Sequence, residues 1–201
     1  MKVIDILNNT DKPVFSFELV PPLKGGDINK IYEAIEPLIA LAPPFINITF
    51  HRDEVVYREY PDGTIKKVTV TKRPGSVALA AAIMRRYNVD MVPHIVCGGA
   101  TRHKIENELI DLNFLDIENV MALRGDPIPG ERFFTPEEGG HRYSCELVEQ
   151  ITRMNHGQYL DDTLTDTVPT NFCIGVAGYP EKHYSYRFAP RKRVALRSPA
   201  I

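Results

Sequence analysis

Polar and charged side chains stand at the ends of apolar runs in this chain. The segment 120–126 (Val-Met-Ala-Leu-Arg-Gly-Asp) shows this clearly, because its apolar run ends in Arg124 and Asp126, which flank Gly125. Arg and Asp are costly to bury, and they seldom end such a run without a partner or a ligand. Four other predicted strands carry one polar residue late in the run: Glu18, Thr49, His94 and Tyr179. Such groups can transfer protons and bind a polar ligand.

Each of these residues also has a purely structural explanation. Glu18 could form an ion pair with Arg124, or Arg124 and Asp126 could brace each other. The other three suit ordinary strand or core packing: Thr49, His94 and Tyr179. Their joint position at strand ends favours a functional site, because convergent polar groups in a cleft mark such sites. The sequence has no Ser–His–Asp arrangement, HExxH or CxxC spacing, so metal and nucleophile chemistry rank low.

Composition excludes several classes of function. The chain is 43% hydrophobic and 25% charged, which is typical of a globular protein with one sizeable core. A net charge of -2 gives no electrostatic footprint for nucleic acid or a membrane surface. Residues 1–9 do not resemble a signal peptide, and no later apolar run predicts a membrane span. Three scattered cysteines without metal-ligand spacing favour a reduced, cytoplasmic protein.

Apolar strands alternate with amphipathic helices along the chain, which predicts an α/β fold with a mostly parallel sheet. The predicted strands cover 14–20, 45–50, 90–97, 120–126 and 172–180. The predicted helices cover 3–9, 27–42 with Asp27 as cap, 76–87, 101–115 with Thr101 as cap, and 144–154 with Ser144 as cap. Between the second strand and its helix, the Asp62-Gly63 pair predicts a β-hairpin within residues 51–73.

Two architectures fit this alternation, an open doubly wound sheet and a closed (β/α)8 TIM barrel. The open sheet usually carries a Gly-rich phosphate turn after its first strand. Here that position is Pro21-Pro22-Leu23-Lys24, and Gly98-Gly99 is too short for a dinucleotide fingerprint. Polar residues at the strand ends favour the barrel, whose active sites lie there. A complete barrel needs about 250 residues, so we predict an incomplete barrel with about five of its eight βα units.

The last residues depart from the βα pattern. Residues 184–201 show no clear period and no acidic side chain, and they contain five basic residues: Arg187, Arg191, Lys192, Arg193 and Arg197. We therefore predict a partial barrel over 1–183 and an aberrant basic tail over 184–201, produced by truncation or a frameshift. A natural basic tail that binds a partner is the alternative.

Several short motifs occur together in an order that resembles one enzyme family. From about residue 13 to His183, the chain resembles the catalytic domain of bacterial-type methylenetetrahydrofolate reductases. The motifs are Phe15-Ser16-Phe17-Glu18 followed by Pro21-Pro22, Ile48-Thr49-Phe50, Pro93-His94, Ala122-Leu123-Arg124-Gly125-Asp126 and Ala177-Gly178-Tyr179-Pro180-Glu181-Lys182-His183. Residues 51–54 also resemble one branch of that family. The resemblance implies a (β/α)8 barrel with FAD bound noncovalently at the strand ends.

The resemblance implies a reaction as well. The family reduces 5,10-methylenetetrahydrofolate to 5-methyltetrahydrofolate, and NADH or NADPH supplies the hydride through the flavin. Glu18 matches the general acid that protonates the departing folate nitrogen, and a Glu in an apolar strand can have a raised pKa. Asp126 matches the residue between flavin and folate, where its charge would disfavour anionic reduced flavin and stabilise the cationic iminium. Both residues would therefore also contact the folate.

The resemblance assigns the remaining contacts to named positions. Thr49 would lie near the nicotinamide. The positions matching flavin contacts are Phe50, His94, Arg124, Gly125, Asp126, Tyr143, Ser144, Tyr179 and His183. The implied partner is a folate substrate, with no metal, nucleic acid or membrane, and a homo-oligomer is compatible with this interpretation.

Three hypotheses about activity stay open at this point. In the first, the chain is an oxidoreductase, either as it stands or when completed by a missing half. In the second, it is an inert fragment, as the tail without a βα pattern would indicate. In the third, it is a different flavin-dependent barrel enzyme that acts on another amine, which explains the flavin-type residues but not Glu18 together with the Arg-Gly-Asp strand end.

Overall fold

The computed structural model describes residues 1–128 and 131–178. The described helices are α1 (Val3–Asn8), α2 (Ile28–Ile39), α3 (Ser76–Tyr87), α4 (Arg102–Phe114) and α5 (Ser144–Met154). The described strands are β1 (Phe17–Leu19), β2 (Phe45–Ile48), β3 (Glu54–Glu59), β4 (Ile65–Val70), β5 (Asp90–Val96), β6 (Asn119–Leu123) and β7 (Cys173–Val176). The predicted alternation of strands and helices is confirmed over this part of the chain.

One parallel sheet organises the fold. Its five described strands lie in the order β1-β2-β5-β6-β7, which is their order along the chain. A doubly wound sheet reverses its strand order at a switch point, and among the described strands the order does not reverse. The chain is therefore an α/β protein whose sheet grows in one direction.

The two faces of this sheet differ in what they contact. The helix-facing side is apolar, and its buried residues join those of α2, α3, α4 and α5 in one core: Ile46, Ile48, Met91, Ile95, Val120 and Ala122. Side chains alternate along each strand, so the register places the neighbours of these residues on the other side, called here the open face. Strand register aligns Glu18 with Asn47, Asn47 with Val92, and His94 with Met121.

The predicted β-hairpin is confirmed as an antiparallel pair, β3 and β4, outside the main sheet. Its register runs from Glu54 opposite Val70 to Glu59 opposite Ile65. At the turn, Gly63 takes a φ of +78°, which favours glycine. The Asp62 carboxylate accepts hydrogen bonds from the hydroxyl and the amide of Thr64, and these bonds lower the pKa of Asp62.

Two of the three predicted helix caps are confirmed. The Asp27 carboxylate accepts from the amide of Asn29 at 2.9 Å, and the Thr101 hydroxyl accepts from the amide of Lys104 at 3.2 Å. The prediction of Ser144 as a cap is wrong, because Ser144 is the first residue of α5 and Tyr143 is the N-cap. The Glu146 carboxylate reaches back to the amides of Arg142 and Tyr143, and these bonds lower the pKa of Glu146.

The amino-terminal segment is tied to the amino end of the sheet. Asn119, which is 2% exposed, accepts from the amide of Val3 at 2.8 Å and donates to the carbonyl of Met1 at 3.0 Å. The amino group of Met1 lies 2.6 Å from the Asp90 carboxylate. In residues 1–128 and 131–178, no helix combines the length and apolar character that crossing a membrane requires.

Candidate active site

The carboxylate of Glu18 and the imidazole of His94 meet on the open face. The Oε2 atom of Glu18 lies 3.7 Å from the Nε2 atom of His94. Glu18 belongs to β1 and His94 to β5, and β2 lies between these strands. Neighbouring strands are about 4.8 Å apart, so the two side chains reach toward each other across β2. The predicted convergence of these two residues is confirmed, and the pairing of Glu18 with Arg124 is not found among the described salt bridges.

His94 is buried, and its surroundings disfavour the protonated imidazole. It is 6% exposed, and its Nε2 atom has no hydrogen-bond partner within the described protein. Burial lowers the pKa of His94, and the nearby Glu18 carboxylate opposes this only in part. A separation of 3.7 Å is too long for a hydrogen bond. The imidazole therefore presents an unpaired polar atom to the open face.

Glu18 is more exposed than the sequence indicated. Its side chain is 58% exposed, whereas the apolar character of its strand predicted burial. The difference arises because β1 pairs with one strand, β2, among the described elements and so lies at an edge of the sheet. The expected apolar surroundings of Glu18 are wrong for the chain as described.

Asn47 adds a second unpaired atom to this face. Its amide nitrogen donates to the Ser16 hydroxyl at 3.4 Å, while its buried Oδ1 atom has no partner within the described protein. Buried polar groups are nearly always hydrogen-bonded. Two such atoms on the same face, with Glu18 beside them, are therefore the feature expected of a ligand site. The sequence prediction missed Asn47, although Asn47 lies two residues before Thr49 and therefore on the same face of the sheet.

Thr49 extends the contact between β1 and β2 beyond the strands themselves. Its amide and its hydroxyl both donate to the carbonyl of Leu19, at 2.9 and 3.2 Å. The hydroxyl also lies 3.1 Å from the Nε2 atom of His51. The half-buried Phe50 follows directly. Thr49 is thus fixed in position on the same face as Asn47, at the carboxyl end of the strand.

The charged pair follows β6 and lies outside the strand, in the irregular segment 124–126, which is called here the bend. β6 ends at Leu123, and Gly125 takes a φ of +84°. The prediction of a strand over 120–126 is therefore wrong beyond Leu123. Within the described residues no salt bridge joins Arg124 to Asp126. The Arg124 guanidinium instead lies 5.3 Å from the centre of the Phe134 ring.

A residue that the sequence prediction missed contacts this bend. Nη1 of Arg52 donates to the carbonyl of Asp126 at 3.1 Å. Arg52 follows shortly after β2, so the general signal of a charged residue beyond a strand end could have identified it. The bend is therefore supported by the chain that leads into the hairpin.

The other predicted flavin contacts lie at the start of α5 or beyond the described residues. Tyr143 is 48% exposed, and its carbonyl accepts from the Cys97 thiol at 3.7 Å. Burial raises the pKa of Cys97 to about 11, so this thiol stays protonated. Ser144 opens α5. Tyr179 and His183 fall outside the described residues, and their assignments stay predictions.

A separate polar cavity lies on the helix side, between α4 and α5. It has a volume of about 430 Å³. His141 pairs with Oε1 of Gln150 at 2.5 Å, and the Gln150 amide donates to the carbonyl of Arg102 at 3.0 Å. Because these buried groups satisfy one another, we interpret the network as structural. Over the part of the chain that is described, no three His, Cys, Asp or Glu side chains are grouped as metal ligands.

Comparison with known proteins identifies similar sequences over most of the chain. A family model described as "Methylenetetrahydrofolate reductase" matches residues 2–195. "Methylenetetrahydrofolate reductase (NADH) 1" of Arabidopsis thaliana is 29% identical over 186 residues, which cover 91% of this chain and 26% of the relative. "Methylenetetrahydrofolate reductase 1" of Schizosaccharomyces pombe is 30% identical over 185 residues, covering 90% and 26%. "5,10-methylenetetrahydrofolate reductase" of Pectobacterium carotovorum is 23% identical over 184 residues, covering 90% and 49%. The chain thus spans about a quarter of the first two relatives and about half of the third.

Proposed function

The chain belongs to the methylenetetrahydrofolate reductase family, and on this premise we propose that it reduces 5,10-methylenetetrahydrofolate to 5-methyltetrahydrofolate with FAD and either NADH or NADPH. This places it in one-carbon metabolism and methionine supply, in the cytoplasm. The observation that carries the proposal is the meeting of Glu18 with a buried, unpaired His94 on the open face. A carboxyl group lies there beside two buried polar atoms, Nε2 of His94 and Oδ1 of Asn47, that have no partner within the described protein.

The proposed architecture is the (β/α)8 barrel, of which the described strands form five of eight. Two features support it. The strands follow chain order, and helices α2–α5 contribute to one core on one side of the sheet. A doubly wound sheet would carry helices on both faces. The open face then corresponds to the barrel interior, and Glu18, Thr49 and His94 to its catalytic end.

The residues of the open face fit a flavin. A flavin ring presents hydrogen-bonding atoms along one edge, which suits the unpaired Nε2 of His94 and Oδ1 of Asn47. The residues proposed to hold FAD are Thr49, Phe50, His94, Arg124, Gly125, Asp126, Tyr143 and Ser144. Tyr179 and His183 are proposed from the sequence alone. When bound, FAD would supply the redox centre that accepts hydride from the nicotinamide nucleotide and delivers it to the folate.

Glu18 is proposed as the proton donor to the substrate. The bridging ring of 5,10-methylenetetrahydrofolate must open before it can accept hydride, and opening requires a proton on the departing nitrogen. In the free chain the side chain of Glu18 is 58% exposed to water. A folate on the open face would cover it, and removal from water favours the neutral, proton-donating form of a carboxyl group. Burial lowers the pKa of His94 beside it, which disfavours a positive charge that would oppose this change.

Asp126 is proposed to stabilise the opened substrate. The ring-opened folate is a cationic iminium, and a carboxylate nearby lowers the free energy of such a cation. Asp126 is exposed and makes no salt bridge among the described residues, so its charge is available to a ligand. Its position at the bend after β6 places it on the carboxyl side of the sheet with Thr49.

The visible absorption spectrum of the purified chain tests the proposal. The spectrum is recorded alone, after addition of FAD, and after addition of NADH under anaerobic conditions. We expect a bound-flavin spectrum that NADH bleaches and that methylenetetrahydrofolate restores. A soluble, folded chain that takes up no flavin would contradict the proposal and favour the inert fragment. Bleaching without restoration by the folate would favour a flavin enzyme that acts on another amine.

A further inference from the structure

The chain that leads from β2 into the hairpin reaches the bend that carries Asp126. We propose that Arg52 is a positioning residue that holds the Arg124–Asp126 bend in place for the reaction. The inference rests on the proposed function for its catalytic consequence, but its structural content stands on contacts within the described chain. Arg52 is not among the positions that the family resemblance assigned.

The Arg52 side chain lies against Gly98 and Gly99 and donates a hydrogen bond to the main chain of the bend. Nη1 of Arg52 donates to the carbonyl of Asp126 at 3.1 Å. A Cβ atom on Gly98 would lie 3.0 Å from the same Nη1, and one on Gly99 would lie 3.6 Å from the Arg52 Cβ. The Arg52 side chain therefore passes closely over the backbone at 98–99, and a side chain at position 98 would crowd its guanidinium.

The same glycine supports the other end of the bend. A Cβ atom on Gly98 would lie 3.2 Å from Cε2 of Phe134, whose ring lies under the Arg124 guanidinium. The amide of Gly98 donates to the carbonyl of Arg124 at 3.1 Å. Arg52 thus binds Asp126, while Phe134 contacts Arg124. The side chains of Arg52 and Phe134 both pack against Gly98. The bend is held at its two ends from one point, the turn that follows β5.

The contact leaves the Asp126 carboxylate unneutralised. Arg52 binds the main-chain carbonyl of Asp126, and no described salt bridge involves the side chain of that residue. An ion pair would position Asp126 but would also cancel the charge that stabilises the iminium. A guanidinium is suited to this task, because its planar group can lie over a backbone and still direct an N–H at a carbonyl.

The hairpin that follows Arg52 is attached to the rest of the chain at both of its ends. Arg52 lies two residues before β3. The chain that leaves β4 is bound to the segment that follows β1. There the carbonyl of Lys72 accepts from the amide of Lys24 at 2.8 Å, and Arg73 donates to the carbonyl of Pro21. One end of the hairpin is therefore attached to the segment that follows β1, the strand of Glu18, and the other end to the segment that follows β6 and carries Asp126.

Hydrogen exchange of the flavin-free chain tests the structural part. Arg52→Gln removes the guanidinium, and Arg58→Gln removes the same charge from an exposed position on β3 as the matched control. We expect the amides of Cys97 and Gly98, which donate to the carbonyls of Leu123 and Arg124, to exchange about tenfold faster in Arg52→Gln, as loss of one charge-assisted hydrogen bond beside them implies. Arg58→Gln should exchange like the unaltered chain. Unchanged exchange in Arg52→Gln would overturn the proposal.

Half-reaction kinetics test the catalytic part. In FAD-loaded Arg52→Gln, we expect flavin reduction by NADH to stay within about twofold, while reoxidation by methylenetetrahydrofolate slows about tenfold. Faster exchange with unchanged reoxidation would make Arg52 merely structural and overturn its positioning role. If Arg52→Gln does not fold, Arg52→Lys replaces it, with the same two readouts and the same directions. If the unaltered chain takes up no flavin, the proposed function fails, while hydrogen exchange still decides the contact.

Discussion

The Nε2 atom of His94 lies 3.7 Å from the Oε2 atom of Glu18, across the intervening strand β2. The two side chains differ sharply in their surroundings, because His94 is buried while Glu18 is 58% exposed. An exposed carboxyl group and a buried imidazole therefore face each other without a hydrogen bond. Each residue can be tested by a separate measurement, the proposed proton delivery for Glu18 and pH-dependent stability for His94.

Replacing Glu18 with Gln should separate the two half-reactions. The amide keeps the size of the side chain but has no acidic proton, so folate reduction should fall by about 10²–10⁴-fold. Flavin reduction by NADH, which needs no proton from Glu18, should persist. Stopped-flow absorbance at the flavin band measures both, with Glu59→Gln on β3 as the exposed control. An equal loss in the two half-reactions would show that Glu18 does not act as the acid.

The buried His94 should make the fold less stable in acid. Burial lowers the pKa of His94 below its usual 6.5, so the folded chain binds this proton less readily than the unfolded chain. The stability that follows is present above pH 6.5 and is lost as the pH falls below it. His94→Gln should therefore flatten the dependence of unfolding free energy on pH between about 7 and 5. Urea titrations across this range measure it, and the exposed His103→Gln should keep the slope of the unaltered chain.

Replacing Gly125 with Ala should destabilise the fold for two reasons. A φ of +84° costs a non-glycine residue about 1–2 kcal/mol. The added Cβ would also lie 2.6 Å from Cγ1 of Val96, a stiff side chain, which adds about 1–3 kcal/mol. Gly63→Ala provides the control, because Gly63 has a φ of +78° with nothing within 4 Å of the added atom. Urea unfolding that gave equal losses for the two variants would refute the steric contribution.

Glu108 should limit stability at neutral and alkaline pH. Burial in α4 raises the pKa of Glu108 from 4.5 to about 7, although Lys104 partly offsets this. The folded chain holds this proton more tightly than the unfolded chain, so the contribution is fully present below pH 4.5 and is lost as the pH rises to about 7. Glu108→Gln should stabilise the chain by about 1–3 kcal/mol at pH 8. Thermal unfolding at pH 5 and pH 8 checks this, and the exposed Glu33→Gln should show no such pH-dependent gain.

Much of the fold could be predicted from local signals. Asp27 and Thr101 cap helices because their side chains bond to amides within three residues. The Asp62-Gly63 turn depends on residues within the turn itself. Such features involve neighbours in sequence, so the pattern alone identifies them. Ser144 misled because serine is a frequent cap, but here Glu146 performs the equivalent task from inside the helix.

The site was harder to predict because its contacts join distant residues. The order of strands showed that Glu18 and His94 end up on one face, but not that they meet across β2. The strand predicted over 120–126 also extended too far, since β6 ends at Leu123 and Gly125 takes a φ of +84°. Arg52 lies in a polar segment before the hairpin, where charged residues are common. Its contact with Asp126, 74 residues away, distinguishes it from the other charged residues of that segment.

The β3–β4 hairpin also bears on how the sheet assembles. Parallel strands pair across long separations, and such contacts form slowly because a long loop must close first. A hairpin forms in about 1–10 μs, and by joining Glu54 to Val70 it shortens the free connection between β2 and β5. The saving in closure entropy is about 0.4 kcal/mol, enough to double the rate at which these strands meet. In a variant with the Asp62-Gly63 turn disrupted, the refolding rate should therefore fall by a larger factor than the unfolding rate rises. That result would make the hairpin part of the folding nucleus as well as a support for the bend.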